Sequence, residues 1–188
     1  MRRLHRLASV VALVAAFAVG GCTSTERPAT TAADSGGFTV FPAGQRQPAP
    51  QVTGDLLDGG RYDMSAHHGD VIVINFWASW CAPCRVEAAD LEAVHQATRD
   101  SGVEFLGINS HDERDKATAF TQARRIDYPS IYDPAGRLGL DFDVPPTTFP
   151  TTFVIDREGK IAAVIRTSVR QDQLAPVVQR IAGEPRGG

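Results

Sequence analysis

The apolar residues of this chain fall into short blocks, and the spacing inside each block predicts its element. Residues 70–78, DVIVINFWA, are a nearly continuous apolar run, the pattern of a strand buried on both faces. Over residues 82–100 the period changes: Ala88, Leu91, Val94 and Thr98 recur at the spacing of one helix face. GVEFLGINS, 102–110, predicts a second buried strand, and residues 114–126 a second helix. YPSIYD, 128–133, reads as a short extended segment and PAGRLGLDF, 134–142, as a short helix. TTFVIDREGKIAAVIRTS, 151–168, predicts a hairpin around Glu158-Gly159, followed by a last helix over 171–182. Upstream, residues 49–69 read as a hairpin turning at Asp58-Gly59-Gly60. The order is β-hairpin, β, α, β, α, β, β, α. Helices alternating with strands predict an α/β domain with a central mixed sheet flanked by helices and right-handed parallel connections.

Length and composition narrow the picture. A chain of 188 residues suits one domain, and 43% hydrophobic with 22% charged residues is ordinary globular usage. A formal charge of −3 with no basic run in the body gives no support to a nucleic-acid binder. The first residues stand apart. MRRLHR is basic, and LASVVALVAAFAVGG after it is apolar with small residues at its end. A spanning helix needs about 20 apolar residues, so this stretch is short for one. Val19-Gly20-Gly21-Cys22 resembles a bacterial lipobox, which implies cleavage before Cys22 and lipidation of that cysteine. A plain signal peptide is the competing reading, and a short buried helix fits poorly with the charge asymmetry. Arg2-Arg3 hints at twin-arginine export without the rest of that motif. The expected organisation is a lipoprotein signal over 1–21, a lipidated Cys and flexible tether over 22–37, and one domain over 38–188. Loss of the three leader arginines moves the formal charge from −3 to −6.

NFWASWCAPCRVE, residues 75–87, holds two of the three cysteines. A structural zinc site wants four N/S ligands. Here the two thiols are joined only by scattered histidines, of which His67 and His68 lie in a turn, His95 mid-helix, and His111 alone is expected near the site. No metal site is therefore expected. A purely structural disulfide would close a loop of a few residues and constrain the unfolded chain little. Redox chemistry fits better. The cysteines follow a buried strand and open a helix, whose free N–H groups and dipole favour a thiolate on Cys81. Pro83 suits the first helical turn, where its missing N–H costs nothing. Cys84, one turn along, is placed to resolve a mixed disulfide formed on Cys81.

Phe76-Trp77-Ala78-Ser79-Trp80-Cys81-Ala82-Pro83-Cys84 resembles the active site of the thioredoxin superfamily, and more narrowly its TlpA/ResA-like branch of extracytoplasmic, membrane-anchored thiol-disulfide oxidoreductases. Arg85 and Glu87 after the second cysteine, FLGINS followed by acidic residues, and FPTTFVIDREGKI support the likeness, which spans about residues 48–183. It implies a thioredoxin-like fold with an N-terminal hairpin and an inserted strand-helix unit. It implies a cis bond between Phe149 and Pro150 facing a redox-active Cys81–Cys84 disulfide, with no other cofactor. Trp80 is expected over the thiols, and Trp77 in the core.

Two positions depart from the cytoplasmic thioredoxin pattern or replace part of it. Asn75 stands at the site matching a buried Asp of those proteins and cannot take a proton. By resemblance the acid moves beyond the next strand, to Asp112 with Glu113 beside it, where burial near Cys84 would raise a carboxyl pKa. The competing reading makes Asp112 or Asp115 a helix cap. The resemblance implies a reductant of exported protein thiols, with apocytochrome c as client and a membrane thiol-disulfide carrier as electron source. An extracytoplasmic oxidase or isomerase uses the same residues. A lipoprotein that binds metal through its thiols is the reading from another class.

Overall fold

The structure, a computed structural model, describes residues 33–185. Its strands are β1 (Ala33–Ser35), β2 (Phe38–Val40), β3 (Thr53–Asp55), β4 (Arg61–Asp63), β5 (Val71–Trp77), β6 (Val103–Ser110), β7 (Ser130–Asp133), β8 (Thr151–Ile155) and β9 (Ile161–Ile165). The helices are α1 (Ala82–Thr98), α2 (Arg114–Arg124), α3 (Arg137–Asp141) and α4 (Gln171–Ala182). One seven-stranded sheet runs β1-β2-β9-β8-β5-β6-β7, and β3-β4 form the separate hairpin. β5, β6 and β7 are parallel, whereas β8 runs antiparallel beside β5 and β9 antiparallel beside β8. This is the thioredoxin-like architecture that the sequence implies.

The continuous apolar run of β5 has a direct cause. Every residue of Val71–Trp77 is buried, because both sheet faces are covered. Ile72, Ile74 and Phe76 point to one core with Leu106, Ile108 and Phe153. Val71 and Val73 point to the other, where Leu91 and Val94 of α1 meet Leu174, Val178 and Ile181 of α4. The period-two alternation of strand side chains divides one apolar run between two cores. β5 and β6 end at the same edge of the sheet, and their C-terminal turns carry the site.

The β3–β4 hairpin turns at residues 56–60 as expected, with the Leu56 and Gly60 backbones bonded at 3.1 Å. It docks on the first core and on β7, where Leu57 N donates to Ser130 O at 2.9 Å. Gly54 permits this approach, since a Cβ there would stand 2.5 Å from Ile131 Cγ2. At the opposite corner, the buried Arg46 guanidinium bonds Asp156 at 3.0 Å and Glu184 at 2.7 Å, tying the N-terminal segment to the chain end.

One boundary differs from expectation. Ala33–Ser35, placed by the sequence in the tether, form β1 and pair with β2, which pairs with β9. Pairing there is made by backbone groups on a sheet edge, so no apolar period announces it. The leader, Cys22 and the tether up to residue 32 lie outside the described residues. Among the described residues no helix is long and apolar enough to cross a membrane.

Candidate active site

β5 delivers the chain into a tight turn, Ala78–Trp80, and Cys81 is the N-cap of α1. Cys81 Sγ accepts from Cys84 N at 3.2 Å, and the two Sγ atoms lie 1.97 Å apart, a disulfide. Pro83 occupies the first helical turn, where the backbone has no donor to lose. The N-cap position supplies what a thiolate on Cys81 needs: an N–H aimed at sulfur and the positive end of the helix dipole. In this oxidised state both cysteines are buried, at 4% and 3% exposure, so the asymmetry between them comes from capping geometry and not from access.

The expected partner loop is in place. The turn Pro146–Thr148 leads into a cis Phe149–Pro150 bond that opens β8, next to β5 in the sheet. The Trp80 indole stacks on Phe149, with ring centroids 6.0 Å apart and planes inclined at 24°. Its Nε1 donates to His111 O at 2.9 Å. The indole therefore joins the cysteine turn to both neighbouring loops. It remains 52% exposed, an apolar platform beside the disulfide rather than a closed lid. Trp77 is core, packed on Phe120 with centroids 4.9 Å apart.

The acid is the main correction. Asp112 is neither fully buried nor raised in pKa. Its burial would raise the carboxyl, but four hydrogen bonds outweigh that and hold it below the usual range. They come from Asn109 Nδ2, Ser79 N, the Ser79 hydroxyl and Glu113 N, at 2.9, 2.6, 2.8 and 2.9 Å. Asp112 thus fastens the turn before Cys81 to the turn after β6. Glu113 is exposed and pairs with Lys116 at 2.6 Å. Neither is the buried carboxylate expected beside Cys84.

Glu87 is. Its side chain is 1% exposed, in α1, three residues after Cys84 and so on the same helix face. Burial raises its pKa to about 7, against the opposing hydrogen bonds from Val169 N and Asn75. Asn75 occupies the position matching the thioredoxin Asp and donates from Nδ2 to Glu87 Oε1 at 2.9 Å and to Thr152 Oγ1 at 3.0 Å. The signal was present in the sequence: Cys84, Glu87, Ala88, Leu91 and Val94 follow helical spacing, which puts a lone acid inside an apolar stripe.

His111 does lie beside the site, at the turn after β6 with φ 52°. Its ring sits against Gly136, itself at φ 67°, where any side chain would collide with the imidazole.

Comparison with known proteins agrees with this geometry. The AhpC/TSA family profile matches residues 45–164. The thiol:disulfide interchange protein HelX of Rhodobacter capsulatus is 34% identical over 131 residues, covering 69% of this chain and 71% of that one. The thiol-disulfide oxidoreductase ResA of Bacillus subtilis is 25% identical over 146 residues, covering 73% and 80%. A secreted thiol-disulfide isomerase from Corynebacterium glutamicum superposes with a TM-score of 0.75 at 33% identity, over 82% of this chain and 99% of that one.

Proposed function

The chain belongs to the AhpC/TSA family and is a thiol-disulfide oxidoreductase of the ResA and DsbE/HelX type, and from that premise we propose that it reduces disulfides of exported proteins outside the cytoplasm, held at the membrane by a lipid on Cys22. The observation that supports a working redox couple is the Cys81–Cys84 pair at the head of α1 with Glu87 buried one turn behind it. In the reduced protein the Cys81 thiolate attacks one sulfur of a client disulfide, and the other client sulfur leaves as a thiolate and takes up a proton. Glu87 takes the Cys84 proton, and the Cys84 thiolate attacks Cys81 Sγ. That forms the enzyme disulfide and releases the second client thiol. Two electrons pass to the client, and a membrane thiol-disulfide carrier restores them.

Pro150 and Phe149 present the backbone against which an extended client segment aligns, and Trp80 supplies the apolar floor. An apocytochrome c, whose paired thiols must be reduced before haem attaches, is the client this reading names. The lipid anchor rests on Val19-Gly20-Gly21-Cys22 alone.

A second reading, disulfide formation or isomerisation, draws support from the Corynebacterium isomerase, which this chain matches over 99% of its length. Both readings share the residues and differ in direction. Client trapping tests the shared chemistry: Cys84→Ser should accumulate mixed disulfides with exported proteins, and Cys81→Ser should not. Equal trapping by both, or by neither, contradicts the assignment. Fractionation of Cys22→Ala tests the anchor, since unchanged membrane retention without lipid mass on the mature protein excludes it.

A further inference from the structure

At the end of the sheet opposite the disulfide, His67, Asp70 and Glu104 converge. One ligand atom from each lies within 4.8 Å of the others, and His67 Nδ1 stands 3.9 Å from Glu104 Oε1. They come from the turn before β5, from its last residue, and from the second residue of β6. Arg157 is the cation at this corner, but its guanidinium is spent on the carbonyls of Gly69, Ser101 and Ala182.

A second feature points to something bound there. The Tyr62 ring lies flat on the His67 ring, with centroids 5.0 Å apart and an interplanar angle of 8°. Tyr62 is only 6% exposed, and its hydroxyl is buried with no hydrogen-bond partner among the described residues. Burial opposes ionisation of that hydroxyl, and the negative charges of Glu104, Asp70 and Asp63 oppose it further. A buried, unpartnered hydroxyl on the ring stacked against His67 lacks a donor-acceptor neighbour, the place a metal-bound water fills.

We propose that His67, Asp70 and Glu104 form a zinc site, with water in the fourth position next to Tyr62. One imidazole nitrogen and two carboxylates suit zinc, whereas calcium takes six or more oxygens. Ligands at about 2.0–2.2 Å from zinc stand about 3.3–3.6 Å apart, so modest side-chain rotation closes the present spacing. His67 and Glu104, at 28% and 40% side-chain exposure, are free to make it. From Glu104 to the end of β6 the strand runs roughly 20 Å, so the ion stays clear of the disulfide and clamps the turn before β5 onto the sheet. The proposal is independent of the redox reading, and it revises the expectation of no metal, which weighed the histidines as partners of the thiols and not of carboxylates.

The test is calorimetric titration of the mature protein with zinc chloride. Cys81–Cys84 is kept oxidised and any remaining thiol alkylated, so that sulfur cannot bind the metal. One equivalent should bind and raise the melting temperature. His67→Ala and Glu104→Gln should each weaken binding at least tenfold and abolish the melting shift, while His68→Ala should change neither. Should either variant melt differently from the wild type in EDTA, Asp70→Asn replaces it. No zinc uptake, or uptake undiminished in these variants, overturns the site.

Discussion

Asn75 and Glu87 are hydrogen-bonded in the core, Nδ2 to Oε1 at 2.9 Å, with Val169 N donating to the other carboxylate oxygen at 2.9 Å. On the proposed mechanism, the proton-accepting role that a buried Asp at position 75 would fill passes across that bond to Glu87. An amide on β5 holds and orients a carboxyl on α1, on the face that also carries Cys84.

Glu87 therefore sets the pH dependence. Burial raises its pKa from 4.5 to about 7, so the stability it contributes is full below pH 4.5 and is lost as pH rises through 7. Glu87→Gln removes that dependence, and the Asn75 amide can flip to preserve a bond. Urea unfolding of the oxidised protein should show the wild type losing roughly 2–3 kcal/mol relative to the variant between pH 5 and pH 8. Exchange by the variant should slow on the order of a hundredfold near neutral pH, with the rate limb near pH 7 gone. An unchanged profile removes Glu87 from the proton path.

Asp112 should behave differently. Its lowered pKa means that its contribution is present above the unfolded value and is lost as pH falls through the folded one, below about pH 4. Asp112→Ala should cost about 1 kcal/mol at neutral pH, allowing for its partial exposure, and less as the pH falls into the acid range. Its rate should fall without any change in profile above pH 5. Stopped-flow reduction of a model disulfide across pH checks this. A flattened profile would make Asp112, not Glu87, the proton acceptor.

Gly107→Ala tests how the site rests on the sheet. A Cβ there would stand 2.7 Å from Trp77 Nε1 and collide with the Ser130 hydroxyl, both in the layer beneath the cysteine turn. Overpacking should lower unfolding stability by about 1–3 kcal/mol, read from the urea midpoint at unchanged slope. Wild-type stability would show that the layer yields freely.

Much of this was legible in the chain. The run 70–78 announced a doubly covered strand, and helix α1 appeared where the period changed. The motif located Cys81, Cys84 and the cis Pro150. Tertiary placement of acids was harder to read. Asp112 and Glu87 are both carboxylates near a cysteine in sequence or along a strand. Only packing reveals that one meets four donors in a half-open turn while the other is enclosed between α1 and Val169. The edge strand Ala33–Ser35 was invisible for another reason, since backbone pairing asks nothing of side-chain hydrophobicity.

The direction of exchange is the central claim, and a redox titration of the Cys81–Cys84 pair against glutathione or dithiothreitol buffers measures it directly. A reductant of exported proteins should sit near the thioredoxin value, about −270 mV. A midpoint near −120 mV, the range of a strong disulfide donor, would contradict the account and assign the same residues to oxidation.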